Sequence, residues 1–144
     1  MKKLFIIILL FAAGISNKTF AQGDNAQARQ QLHSFKIKAK LNPETGEVNY
    51  RGLSKPELQP KLNSLLNVVA DDFIKISGDG VSSDKFEDYV RIGLTRFGPY
   101  YADLDLEDKK RICAYFTELM EDVNLESPDA ILTNWINGYD PAVK

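Results

Sequence analysis

The side chains able to do chemistry are few in this 144-residue chain, and they are scattered. His33 is the single histidine, set among Gln and Ser. A catalytic imidazole needs an orienting carboxylate and a nucleophile within reach, and no serine here stands in a nucleophile-elbow context, so His33 reads as a solvated surface residue. Cys113 is the single cysteine. A reactive thiol wants an electropositive, partly open setting, whereas Cys113 shares an apolar stripe with Ile112 and Phe116 and reads as a small core hydrophobe. One cysteine also excludes an intramolecular disulfide.

Two acidic runs invite a calcium reading, Asp103–Asp108 and SGDGVSSDKFED. The calcium loop needs a central glycine and a glutamate at its twelfth position. Counted from Asp103, those places hold Asp108 and Ala114, and counted from Asp79 the third position is Val81. Both runs fit helix N-termini better, where carboxylates meet the positive end of the dipole. One Cys and one His supply no zinc set. The expectation is no metal, no cofactor and no enzyme activity.

Two features remain for recognition chemistry. Tyr100 and Tyr101 are adjacent in an inter-helix loop, so their rings point to different sides. Glu118, Glu121 and Asp122 gather near a helix C-terminus, where negative charge opposes the dipole. Tyrosine with acid is a common interface composition. These five are the candidate partner-binding residues, for an unidentified protein partner. No basic stripe or arginine-rich segment points to nucleic acid.

The elements that must position these side chains follow from periodicity. Leu62, Leu65, Leu66, Val69, Phe73 and Ile76 form one helical face, starting near Pro60 and ended by Gly78 and Gly80. Ser54 and Glu57 have capping-box spacing just upstream. Ser82 or Ser83 caps the next helix, whose face is Phe86, Tyr89, Val90, Leu94 and Phe97, stopped by Gly98-Pro99. Gly93 lies inside that face and lets a neighbouring helix approach closely. Asp105 caps a third helix, with Ile112, Cys113, Phe116, Leu119, Met120 and Val123 as its stripe; Glu118 and Glu121 lie opposite. Ser127-Pro128-Asp129 starts a short last helix carrying Ile131, Leu132, Trp135 and Ile136, and Gly138 ends it. Trp135, Phe116, Phe73 and Phe97 are the candidate core residues.

The segment before residue 54 is ambiguous. Ala28, Leu32, Phe35 and Ala39 recur at helical spacing, favouring a helix over about 25–40. Phe35 to Leu41 also alternates like a strand, and NPETGE would turn it into a short hairpin near residues 35–51. A lone hairpin is marginal. The fold class expected is all-α, a compact bundle of four to five amphipathic helices.

The N-terminus reads as a secretory signal. Lys2 and Lys3 precede the apolar run Leu4–Ile15, and Thr19 and Ala21 are small residues at cleavage-site positions, placing cleavage between Ala21 and Gln22. The run is too short to span a bilayer. Residues 1–21 hold three lysines and no acids, so the formal charge moves from −2 to −5 on their removal. Residues 22–144 then form a single exported domain, periplasmic or secreted, whose membrane contact ends with the leader.

Three stretches together, RGLSKPELQPKLN (51–63), LEDKKRICAYFTELMEDVNLES (106–127) and LTNWINGYDP (132–141), resemble domain of unknown function 4844, a family of small exported proteins known mainly from Bacteroidota. The resemblance implies a helical fold and an envelope location. It implies no activity and transfers no functional residue. The architecture is also similar to periplasmic immunity proteins that block cell-wall amidases delivered by rival bacteria. Fold does not fix function. The expectation is a non-enzymatic binder or inhibitor of a protein partner. A carboxylate-dependent envelope hydrolase and a structural subunit of an envelope assembly are the alternatives.

Overall fold

The computed structural model describes residues 22–46, 49–78 and 80–144. The leader expected over residues 1–21 lies outside that set. Among the described residues there are five α-helices: α1 (Gln22–Ile37), α2 (Gln59–Ile76), α3 (Ser83–Thr95), α4 (Leu106–Asp122) and α5 (Asp129–Ile136). Short 3-10 turns at Pro56–Leu58 and Gly98–Asp103 lead into α2 and α4. Among the described residues there is no strand, so the molecule is all-α as its periodicity predicts. The hairpin alternative shrinks to one antiparallel bridge between Glu44 and Tyr50.

α1 packs on α2 and α4, α2 on α3 and α4, and α5 on α4. The expected faces meet in one core. Phe73, Phe97 and Phe116 have no exposed surface, and Trp135 is 2% exposed. Their rings meet edge to face, Phe97 on Phe116 at 6.1 Å and on Trp135 at 6.3 Å, a geometry the ring quadrupoles favour. Gly93 makes the tightest approach: a Cβ there would sit 2.8 Å from both Phe116 and Val69.

Helix ends explain several turns. α5 closes in a Schellman motif, in which Gly138 N–H donates to Trp135 O (3.0 Å) and Tyr139 N–H to Asn134 O (3.0 Å), with Gly138 at φ 90°. α4 closes likewise, with Asn124 in the left-handed place at φ 56° and bonds to Glu121 O and Met120 O.

Three local expectations need correction. α1 stops at Ile37, so Ala39 is outside it; Ile37 is 88% exposed while Leu41 turns inward, which fits neither strand alternation nor a longer helix. Ser54 forms no capping box with Glu57, because its N–H and hydroxyl both donate to Asp108. Ser127 does not cap α5: Pro128 holds the N-cap place, and Ser127 Oγ lies 3.1 Å from Thr117 Oγ1.

Candidate functional site

The two ends of α4 organise the polar chemistry. At its N-terminus Asp105 and Asp108 form the expected capping box. Asp108 does more than cap. It is fully buried, and its carboxylate accepts from Tyr50 Oη (3.0 Å), Ser54 N–H (3.2 Å), Ser54 Oγ (2.8 Å) and Asp105 N–H (3.2 Å). The 50–54 segment is thereby fastened to α4 across more than fifty residues of sequence. Burial and the neighbouring carboxylate push the Tyr50 phenol well above its ordinary range. Arg111 stacks over the rings of Tyr50 and Tyr115 and pairs with Glu44.

At the other end of α4 lie the acids singled out from the sequence. Glu118 is not free: Lys38 donates to both its oxygens, and the same ammonium sits over the Phe35 and Tyr115 rings. Glu121 is exposed and Asp122 half-buried. Partial burial, then Glu118 and Glu121, raise the Asp122 carboxyl to about 6, with Lys38 opposing. Beside them Lys40 is wholly buried. Its ammonium donates to Phe35 O (2.7 Å) and Lys38 O (3.0 Å), capping the negative end of α1, and desolvation lowers it to about 8. Lys40 was not among the residues singled out; the signal available was a lysine just beyond a helix end.

Tyr100 and Tyr101 belong to a different surface. Tyr101 Oη donates to Trp135 O (2.8 Å) and Ile136 O (2.9 Å), its ring stands edge-on to Trp135 at 5.3 Å, and Lys109 lies 3.8 Å over it. Tyr100 is half-buried against the core. Lys109 and Glu118 are nine residues apart on α4, about 13.5 Å along the axis and half a turn around it. The five candidates therefore divide into an acidic face beside α1 and an aromatic face beside α5.

The aromatic face carries a concavity. A cleft of about 270 Å³ opens between Leu94, Gly98, Tyr101, Trp135 and Gly138, bounded by Tyr139, Asp140 and Pro141. A second, of about 330 Å³, shares residues 139–141 and is lined by Arg91, Ile131 and Asn134. Tyr139 stands 66% exposed at their junction. It was not singled out for binding from the sequence, because nothing local distinguishes a solvated tyrosine from one at the lip of a cleft. Cys113 faces inward near Leu132 O, and burial pushes its thiol up to about 12. His33 is exposed on α1. Among the described residues no three His, Cys, Asp or Glu side chains converge as metal ligands, and no helix is long and apolar enough to cross a membrane.

Comparison with known proteins adds the following. The chain is similar in fold to a DUF3571 family protein from Acinetobacter baumannii AYE, solved as a crystal structure at 1.95 Å, with a TM-score of 0.70 and 24% identity over 81% of this chain and 94% of that one. Comparison with curated proteins gives no match. A family model described as a domain of unknown function, DUF4844, matches residues 23–140, from the start of α1 through the Tyr139 lip. A match of that extent makes the chain a member of the DUF4844 family.

Proposed function

We propose that the protein acts outside the cytoplasm as a non-enzymatic binding protein that occludes a protein partner, in the manner of an inhibitor or immunity protein. The observation that carries this reading is Tyr139, exposed at the lip of the Trp135–Tyr101 cleft beside Asp140. A large aromatic that keeps most of its surface in water next to an apolar opening and an acid has the composition of an interface anchor. The leader-like N-terminus supports export. The acids support recognition less, since Asp71, Asp72, Asp103, Asp105 and Glu118 each meet a cation within the fold. Glu121 remains a solvent-facing charge for steering a basic partner.

The test is affinity capture from an envelope extract with wild type and Tyr139→Ala, then association kinetics at two salt concentrations with whatever only the wild type retains. Loss of one specific partner in the variant is the expected result. Equal capture by both removes Tyr139 from the interface.

One observation favours a second reading, a carboxylate hydrolase of envelope glycans. Asp122 sits half-buried beside Glu118 and Glu121, and its carboxyl is raised to about 6, the direction a general acid requires. Turnover of peptidoglycan fragments that Asp122→Asn abolishes would put this reading first.

A further inference from the structure

The two openings share Tyr139, Asp140 and Pro141 in their lining, and each has α3 residues on one side and α5 residues on the other. Tyr139 is fixed to α5, since its N–H is part of the Schellman closure. Beyond it, Asp140 bends the chain: its carboxylate accepts from Ala142 N–H (2.9 Å), and its carbonyl accepts from Val143 N–H (3.3 Å). The following residues then lie along α3 in the reverse direction. Arg91 Nη1 donates to Pro141 O (3.2 Å) and Val143 O (3.1 Å), and Lys144 Nζ meets Asp88 at 2.7 Å. Asp88, Arg91 and Thr95 recur every three or four residues, so they share one side of α3. α5 supplies the opposite wall through Ile131, Asn134 and Trp135.

This strap is held almost wholly by backbone carbonyls on one guanidinium and by one exposed ion pair. Val143 is 68% exposed, so the strap buries little apolar surface of its own. Contacts of this kind accept any chain that presents carbonyls to Arg91 and a cation to Asp88. The family match ends at residue 140, so the groove walls lie inside the shared domain and residues 141–144 lie beyond it.

We infer that the Asp140–Lys144 strap is an internal occupant of a peptide-binding groove between α3 and α5, and that a basic segment of the partner protein replaces it, placing carbonyls on Arg91 and a lysine or arginine on Asp88. This names the partner's contacting segment and rests on the binding reading above. The Arg91 bonds and the Lys144–Asp88 pair together hold the strap in place. Exposed pairs are weak, so the strap is exchangeable.

The test uses the full chain and an acetylated, fluorophore-bearing peptide, DPAVK, followed by anisotropy. Lys144→Glu replaces the attraction at Asp88 with repulsion and should tighten peptide binding about two- to five-fold relative to wild type, the scale of one exposed ion pair. Adding Arg91→Ala to that variant should abolish the gain, with unchanged thermal melting showing that the fold is intact. The peptide DPAVE should bind more weakly than DPAVK. Equal binding by wild type and Lys144→Glu, or equal binding of the two peptides, overturns the inference. Peptide exchange without envelope capture through Tyr139 would leave the groove standing and remove the envelope partner. Capture without any Lys144 dependence would remove the groove alone.

Discussion

The two ends of α4 each place an aspartate out of full contact with water, and the outcomes differ. Asp108, in the first turn, is completely buried and accepts from four donors at the positive end of the helix dipole. Asp122, in the last turn, is half-buried and is pushed up to about 6, first by that burial and then by Glu118 and Glu121, with Lys38 opposing. Burial alone does not decide whether a carboxylate is comfortable. Donors and neighbouring charge add to or offset what burial does. One end of α4 is built to hold the fold, and the other tolerates a charge conflict that folding does not require.

Packing between the ends sets the scale for testing that contrast. Trp135→Ala should cost about 3–5 kcal/mol by chemical denaturation, with the native fluorescence lying blue of the unfolded. A much smaller loss would mean that α5 contributes little to the core and that the polar ends matter more than its packing. Asp108→Ala comes next. It removes the reciprocal half of the capping box, while Asp105 keeps its bond to the N–H at position 108, and it leaves the Tyr50, Ser54 and Asp105 donors without an acceptor, at about 2–4 kcal/mol. If this variant melts like wild type, the claim that the N-terminal end holds the fold fails. Gly93→Ala probes the middle of α4, since its methyl must displace Phe116 or Val69; overpacking of this kind costs about 1–3 kcal/mol.

The smallest effect belongs to Asp122 and has an unusual sign. Its folded value lies above its unfolded one, so the native state takes up the proton first. The penalty for the ionised form is present above about 6 and is relieved as pH falls toward about 4. Stability should therefore rise by about 1 kcal/mol between pH 7 and pH 5, discounted for solvent screening. Asp122→Asn should be the more stable protein at pH 7 and should lose that slope. Below about pH 4 the trend reverses, because Asp105 is held low by its Ser54 and Asp108 contacts and loses them on protonation. A wild-type stability that falls steadily from pH 7 to pH 5 would erase the difference between the two ends.

Much of this was legible from local pattern. The apolar faces of α2, α3 and α4 repeat over three turns or more, and the Asp105 cap, the Gly138 stop and the close approach at Gly93 each depend on a few neighbouring residues. The candidate site was less legible, because its partners are remote in sequence. Nothing near Glu118 announces that Lys38 will cross eighty positions to meet it, and nothing near Ser54 announces Asp108. The end of α1 was misplaced for the same reason. Lys40 reads as a solvated charge until Phe35, Lys36 and Lys38 present their carbonyls to it, and only then does the helix have a reason to stop at Ile37.

The Schellman closure of α5 also bears on chemical ageing. Asn137-Gly138 is the dipeptide most prone to deamidation in a loose chain, where the glycine nitrogen attacks the asparagine side-chain carbonyl, breaks its bond to the amide nitrogen with release of ammonia, and closes a succinimide. Here the N–H of Gly138 is engaged with Trp135 O, and the Asn137 backbone is held near helical angles, at φ −81° and ψ 3°. The attacking nitrogen stays tied into the helix closure for as long as α5 stays wound. Conversion of Asn137 to aspartate or isoaspartate then becomes a clock for how often this last helix comes undone.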